Sequence, residues 1–250
     1  MELRDIWYKK IVLLFRICIS GTILISCDSQ PDANQILKDA INAHGGVKKW
    51  ESIEEISYRK TTVLYDSLGN IEKEITQHHK NSFKPSFSAE MKWMDNGISK
   101  KVTVQNEKTS IVYGDSVILD LQLKKKYYKE IMAANYVFWQ PYKLLDPNLK
   151  LGYVRKENID EKETYVLKAE YKNEDGSPGN TWWYYFDTKS YKLLGNMVYH
   201  APTYSYIRNV AYEDQTGLLL NAKRISYRVD SLRNIKYTRA TYTYEILEIK

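Results

Sequence analysis

Regular patterning becomes visible at Asp32. Ala33, Ile36, Leu37, Ala40 and Ile41 recur at i, i+3, i+4, i+7 and i+8, which is one apolar stripe of an α-helix. Asp32 with Gln35 three residues on predicts a capping box at its start. Gly45 predicts its end, because a left-handed C′ residue terminates a helix and glycine adopts that conformation without steric cost. Trp50 is expected to enter the first strand and pack against the helix. Beyond it the period switches to two. Tyr165, Leu167, Ala169 and Tyr171 fall on one side of a strand, and Thr164, Lys168 and Glu170 on the other. Ile225, Tyr227 and Val229 likewise oppose Arg224, Ser226 and Arg228. Such one-sided strands predict an antiparallel sheet with one face covered and the other wet.

Turn signals punctuate the strands: Asp66 to Asn70, Asn96-Gly97, Tyr113 to Asp115, Asp175-Gly176, Asp187 to Ser190, and Asp214 to Gly217. Asn96-Gly97 is the strongest hairpin signal among them. One motif is echoed, YDSLGNI at Tyr65–Ile71 and VDSLRNI at Val229–Ile235, and both copies predict equivalent hairpin turns. A single stretch, Lys124 to Lys150, lacks the alternation. Tyr128, Ile131, Met132, Asn135, Phe138 and Trp139 follow helical spacing there. Pro141 kinks or restarts that helix and Pro147 stops it. An aromatic helix of this kind must lie on the covered face of the sheet. No linker-like stretch divides the rest, so residues 32–250 read as one domain.

The first 26 residues pattern differently. Lys9, Lys10 and Arg16 flank or punctuate a short apolar run ending at Ile17–Ile25, the length of a secretory signal rather than of a membrane span. Leu24-Ile25-Ser26-Cys27 resembles the bacterial lipobox. That resemblance implies cleavage between Ser26 and Cys27 and acylation of Cys27, followed by a polar tether over residues 27–31. Two or more acyl chains would hold the protein at a membrane, since each buried CH₂ contributes about 0.8 kcal/mol. The expected location is the bacterial cell envelope, with the outer membrane as the expected membrane.

Composition then narrows the chemistry. Tyrosine is the outlier at 22 of 250 residues, and it favours strands and half-wet surfaces. Cys18 leaves with the signal and Cys27 is acylated, so neither a disulfide nor a cysteine metal site is expected. Residues 1–26 carry four basic and two acidic side chains, so a +6 chain matures to +4. That mild charge, without an arginine-rich patch, gives no reason to expect a nucleic-acid partner. His44-Gly45-Gly46 resembles the oxyanion loop of some esterases, but no G-x-S-x-G elbow accompanies it, and a helix stop explains it better. His44 would then lie in the last turn, favourable to the dipole if charged. His78 and His79, adjacent in a strand, point to opposite faces and do not form a metal pair. No carboxylate pair stands out as general acid and base, so no catalytic residues, metal or cofactor are expected. Lys124 to Tyr128 reads as a solvated helix start. In Trp182 to Phe186, Trp182, Tyr184 and Phe186 share a face opposite Trp183 and Tyr185. One set is core, and the other serves either cross-strand packing or sugar stacking.

An amphipathic N-terminal helix, a long meander and a mid-chain apolar helix together resemble the LolA/LolB-like and LppX-like lipoprotein-carrier half-barrel of the bacterial envelope. Three segments carry the likeness: Trp183–His200, with an Asp-led turn between strands; Phe138–Pro147, with its internal proline; and Ala40–Tyr58. The resemblance implies a mainly β, α+β fold, a strongly curved antiparallel sheet wrapped around an N-terminal and a central helix. It implies an apolar cavity that takes acyl chains of a lipid or an acylated protein, lined on the central helix by Ile131, Met132, Phe138 and Trp139. Two readings of that helix stay open: its side chains fill the half-barrel, or a cavity remains. The resemblance departs in two places. The family's soluble carrier has no lipid anchor, and no exposed hydrophobic insertion loop like that of its anchored receptor is identified. The expectation is a non-catalytic, anchored lipoprotein that handles an apolar ligand; the alternative is a glycan-binding or scaffold lipoprotein.

Overall fold

The structure is a computed structural model that describes residues 30–172, 178–213 and 215–250. The signal segment, Ser26 and Cys27 lie outside the described residues, as do Asp175-Gly176 and Asp214.

Helix α1 spans Ala33–Ala43 and buries the five residues of its apolar stripe. Asp32 caps it, accepting a hydrogen bond from the Asn34 amide at 3.0 Å. The predicted box is only half formed: instead of accepting from the Asp32 amide, the Gln35 side chain turns away and donates a charge-assisted bond to the Asp39 carboxylate at 3.1 Å, one turn on. Gly45 ends the helix at φ 111°, and the Gly46 amide closes the turn on the Ile41 carbonyl at 2.9 Å. Trp50 does not begin a strand. A second short helix, α2 (Val47–Ser52), intervenes and swings the indole into the core, edge-on to Trp139 at 4.9 Å and stacked with Tyr142 at 5.6 Å.

Six strands follow: β1 (Glu55–Tyr65), β2 (Ile71–Ser82), β3 (Ser88–Asp95), β4 (Ile98–Gln105), β5 (Lys108–Tyr113) and β6 (Ser116–Val117). Helix α3 (Leu121–Phe138) then crosses to a second run. That run comprises β7 (Lys150–Ile159), β8 (Lys162–Lys172), β9 (Pro178–Asp187), β10 (Leu193–His200), β11 (Thr203–Glu213), β12 (Leu220–Val229) and β13 (Ile235–Ile249). All thirteen join one curved, unclosed antiparallel sheet in the order β6-β5-β4-β3-β2-β1-β13-β12-β11-β10-β9-β8-β7. Every pairing is between neighbours in sequence except β1 with β13, which stitches the two runs together. The free edges are therefore β6 and β7, and the segment joining them carries α3 across the concave face. Asp120 caps α3 by accepting from the Leu123 amide at 2.9 Å, so the helix starts ahead of Lys124. Pro141 does restart the chain, as a 3-10 turn over Tyr142–Leu145.

The main core fills the concave side, where α1, Trp50, Phe138 and Trp139 meet Tyr58, Leu167, Tyr184 and Phe186. A second cluster packs Ile131 of α3 onto Met91, Val102, Val104 and Ile111, with Tyr127 and Tyr128 half-buried beside it. The convex side is not simply wet. Val166, Tyr185, Met197, Tyr206 and Val229 are buried there. Arg233 lies over them, its guanidinium 5.1 Å from the Tyr185 ring and 5.5 Å from that of Tyr206, and pairs with Glu157.

The echoed motif is one turn built twice. Asp66 accepts from the amides of Leu68 and Asn70 at 2.9 and 2.8 Å; Asp230 accepts from those of Leu232 and Asn234, both at 2.9 Å. Gly69 (φ 87°) and Arg233 (φ 68°) occupy the same left-handed position. Both tips lie at one end of the sheet, and Leu68 and Leu232 stand exposed on them.

Candidate functional site

Between α3 and the inner face of the sheet lies a cavity of about 550 Å³. Its roof is one stripe of α3, Glu130, Ala133, Ala134 and Val137, at i, i+3, i+4 and i+7. Its walls are alternate residues of strands from both runs: Lys60, Thr62 and Leu64 of β1, Ile75, Gln77 and His79 of β2, and Tyr242 and Tyr244 of β13 on one side. Trp182 of β9, Asn196 and Val198 of β10, Ser205 and Ile207 of β11, and Arg224 and Ser226 of β12 form the other. β12 thus reverses the polarity its pattern suggested. Arg224 and Ser226 face inward, while Ile225, Tyr227 and Val229 take the convex side, the last two within its buried layer.

The cavity combines an apolar lining with buried polar groups. Leu64, Ile75, Val137, Val198 and Ile207 supply the first. At the base, Arg224 is only 2% exposed. Its Nε donates to Asn209 Oδ1 at 2.9 Å and its Nη2 to Asn196 Oδ1 at 2.6 Å. Asn209 is itself held, donating to the Leu193 carbonyl at 2.7 Å. Lys60 Nζ sits 5.3 Å from the Tyr242 ring centre. Lys60 lies deep, although the side facing the cavity keeps some accessible surface, and burial holds its pKa below the usual lysine range. His79 is stacked on Tyr58 at 4.8 Å, and Tyr58 on Phe138 at 4.0 Å. Burial pushes the His79 pKa down to about 3, with Lys60 adding to the shift, so the ring is neutral. His78 points to the other, exposed face.

The four residues expected to line a cavity sit elsewhere. Phe138 and Trp139 are packed in the main core, Ile131 in the second cluster. Met132 borders a separate hollow with Tyr136, Tyr142 and Tyr171. The helix therefore does both things that were left open: its C-terminal end fills the half-barrel, and its small residues Ala133 and Ala134 leave room over the sheet. The Tyr136 hydroxyl fixes this arrangement through bonds of 2.7 Å to Tyr171 and 2.6 Å to Tyr184. Trp183 and Tyr185 pack across strands against Tyr204 and Tyr206, at 6.5 and 5.9 Å between ring centres. His44 is buried at the end of α1. Its Nδ1 donates to the Ala40 carbonyl at 2.7 Å, and its Nε2 accepts from the Leu193 amide at 3.4 Å. Burial lowers its pKa to about 4, so it is a neutral helix cap and not a charged partner of the dipole.

A curved, unclosed sheet roofed by a helix over a cavity is the fold seen in LolA superfamily structures. The chain belongs to a family of unknown function, DUF6503, whose model matches residues 9–210. Its structure is similar to a LolA superfamily protein from Nitrosomonas europaea, with 11% identity and a TM-score of 0.55 over 88% of this chain and 94% of that one. It is also similar to a DUF1329 family protein from Desulfovibrio piger, with 9% identity and a TM-score of 0.51 over 88% and 93% of the two chains. At these identities the likeness establishes the fold. No curated protein matches the sequence.

Proposed function

We propose that this protein is a non-catalytic binder of an apolar, chain-shaped ligand, a lipid or the acyl part of an acylated protein. It acts in the bacterial envelope, anchored through a lipid on Cys27. The observation that carries the reading is the cavity beneath α3. At about 550 Å³ it falls within the roughly 300–1,000 Å³ of small-molecule sites, and Leu64, Ile75, Val137, Val198 and Ile207 give it aliphatic surface for a chain. Copurified lipid, detected by native mass spectrometry and extraction from residues 28–250 made in a bacterial periplasm, is the expected result. Binding of a fluorescent acyl probe to the delipidated protein gives the quantitative form of the test. Ala134→Trp would fill the cavity from its roof and abolish probe binding while the circular dichroism stays native. If that folded variant binds the probe as the parent does, the cavity is not the site. Trp139→Asp is not an equivalent test, because it places a charge in the core and is expected to unfold the domain.

A further inference from the structure

The cavity base is charged in a way that a purely apolar ligand would leave unanswered. Burying an ion costs several kcal/mol unless an opposite charge and hydrogen bonds offset it. Arg224 is buried, yet the acceptors that hold it are all neutral: the amide oxygens of Asn196 and Asn209, and the Tyr244 hydroxyl beside them. A guanidinium has five N–H donors, and these bonds leave some of them free. Lys60 adds a second positive group from β1 on the same inner face, with β13 between it and β12. Among the described residues no carboxylate is within ion-pair distance of either. Glu130, the one acidic residue of the lining, is exposed at the rim, 3.9 Å from Lys126, and reaches Lys60 only as a more distant charge. Two more polar atoms of the base, Asn196 Nδ2 and His79 Nε2, are buried and have no hydrogen-bond partner among the described residues. The aliphatic surface of Leu64, Ile75, Val198 and Ile207 shares the cavity with this cluster.

We propose that the ligand is an anionic single-chain amphiphile, its carboxylate or phosphate head seated between Lys60 and Arg224 and its chain on the aliphatic walls. This rests on the apolar-ligand reading above. A neutral chain would satisfy the walls and leave two cations and two polar atoms unpaired in a site emptied of water. A small anion would satisfy the cations and leave the walls uncovered. The head also supplies the missing acceptor for Asn196 Nδ2.

Titration calorimetry of the delipidated protein with palmitate, hexadecanol and 1-palmitoyl lysophosphatidate tests this without any variant. The charged heads are expected to bind about 10-fold or more tightly than the alcohol, the least that a hydrogen bond to a charged group contributes. Whichever of palmitate and lysophosphatidate binds better identifies the carboxylate or phosphate source. Lys60→Met should collapse the preference for the charged heads over hexadecanol; Arg224 is less suited to substitution because it also orders two buried asparagines. Equal affinity for palmitate and hexadecanol overturns the head-group assignment and leaves the cavity reading standing. Failure of all three ligands to bind overturns both.

Discussion

His44 at the end of α1 and His79 on β2 answer acid in the same direction. In the unfolded chain each takes up its proton near pH 6.5. In the fold, burial delays that uptake to about 4 for His44 and about 3 for His79. Between those limits the unfolded state binds more protons, so the stability present above pH 6.5 is lost as pH falls. The slope approaches about 1.4 kcal/mol per pH unit for each histidine. Urea midpoints should be lower at pH 5 than at pH 7.5, and His79→Gln should make the fall smaller without removing it, since His44 and His200 remain; equal midpoints for the parent at both values would refute the burial argument. The glycines give a second contrast. Gly69 and Gly45 both have positive φ, but nothing lies within 4 Å of a Cβ on Gly69, whereas one on Gly45 would meet the Gly217 carbonyl oxygen at 2.7 Å. Gly69→Ala should cost about 1–2 kcal/mol, the left-handed penalty alone. Gly45→Ala should cost clearly more in the same denaturation assay, because it adds a clash with backbone.

At the level of elements, α3 divides its labour by position. Ile131 pins the helix to β3–β5, and Ala133 and Ala134 roof the cavity. Ile131→Ala is expected to cost about 2–5 kcal/mol and leave probe affinity unchanged, the reverse of Ala134→Trp; loss of binding without loss of stability in Ile131→Ala would contradict this division. The sequence made the helix legible through its aromatic stripe, but not its lining. Hydrophobic periodicity reports the residues that pack, and a cavity is bordered by those too small to fill it. The strands teach the same lesson. Alternation in β8 placed Leu167 and Ala169 inside correctly, because the main core lies there. In β12 the apolar side went to the convex layer under Arg233, and the polar side became the cavity base. Alternation separates two faces and is silent about which of them is concave. The Asp66 and Asp230 turns, by contrast, were fully legible, since an Asx turn is made by residues adjacent in the chain.

For the whole molecule the sheet order matters more than any one strand. β6 is two residues long and exposed, so its amides should exchange with deuterium well before those of β1 and β13 at the sheet's centre; early exchange at the centre would mean the two runs are not joined as described. The seam between β1 and β13 is the pairing that links distant parts of the chain: Arg59 and Glu245, which meet across it, are 186 positions apart. Each run can assemble from its own hairpins, but bringing β1 to β13 requires closing the long loop between them, a slow and entropically costly kind of step. Lys60 belongs to the first run and Arg224 to the second, so neither run alone forms the cavity base. The ability to hold a ligand should therefore appear only in the last kinetic phase of folding. A chain stalled before that phase would carry β1 with one edge unpaired, open to another copy of itself.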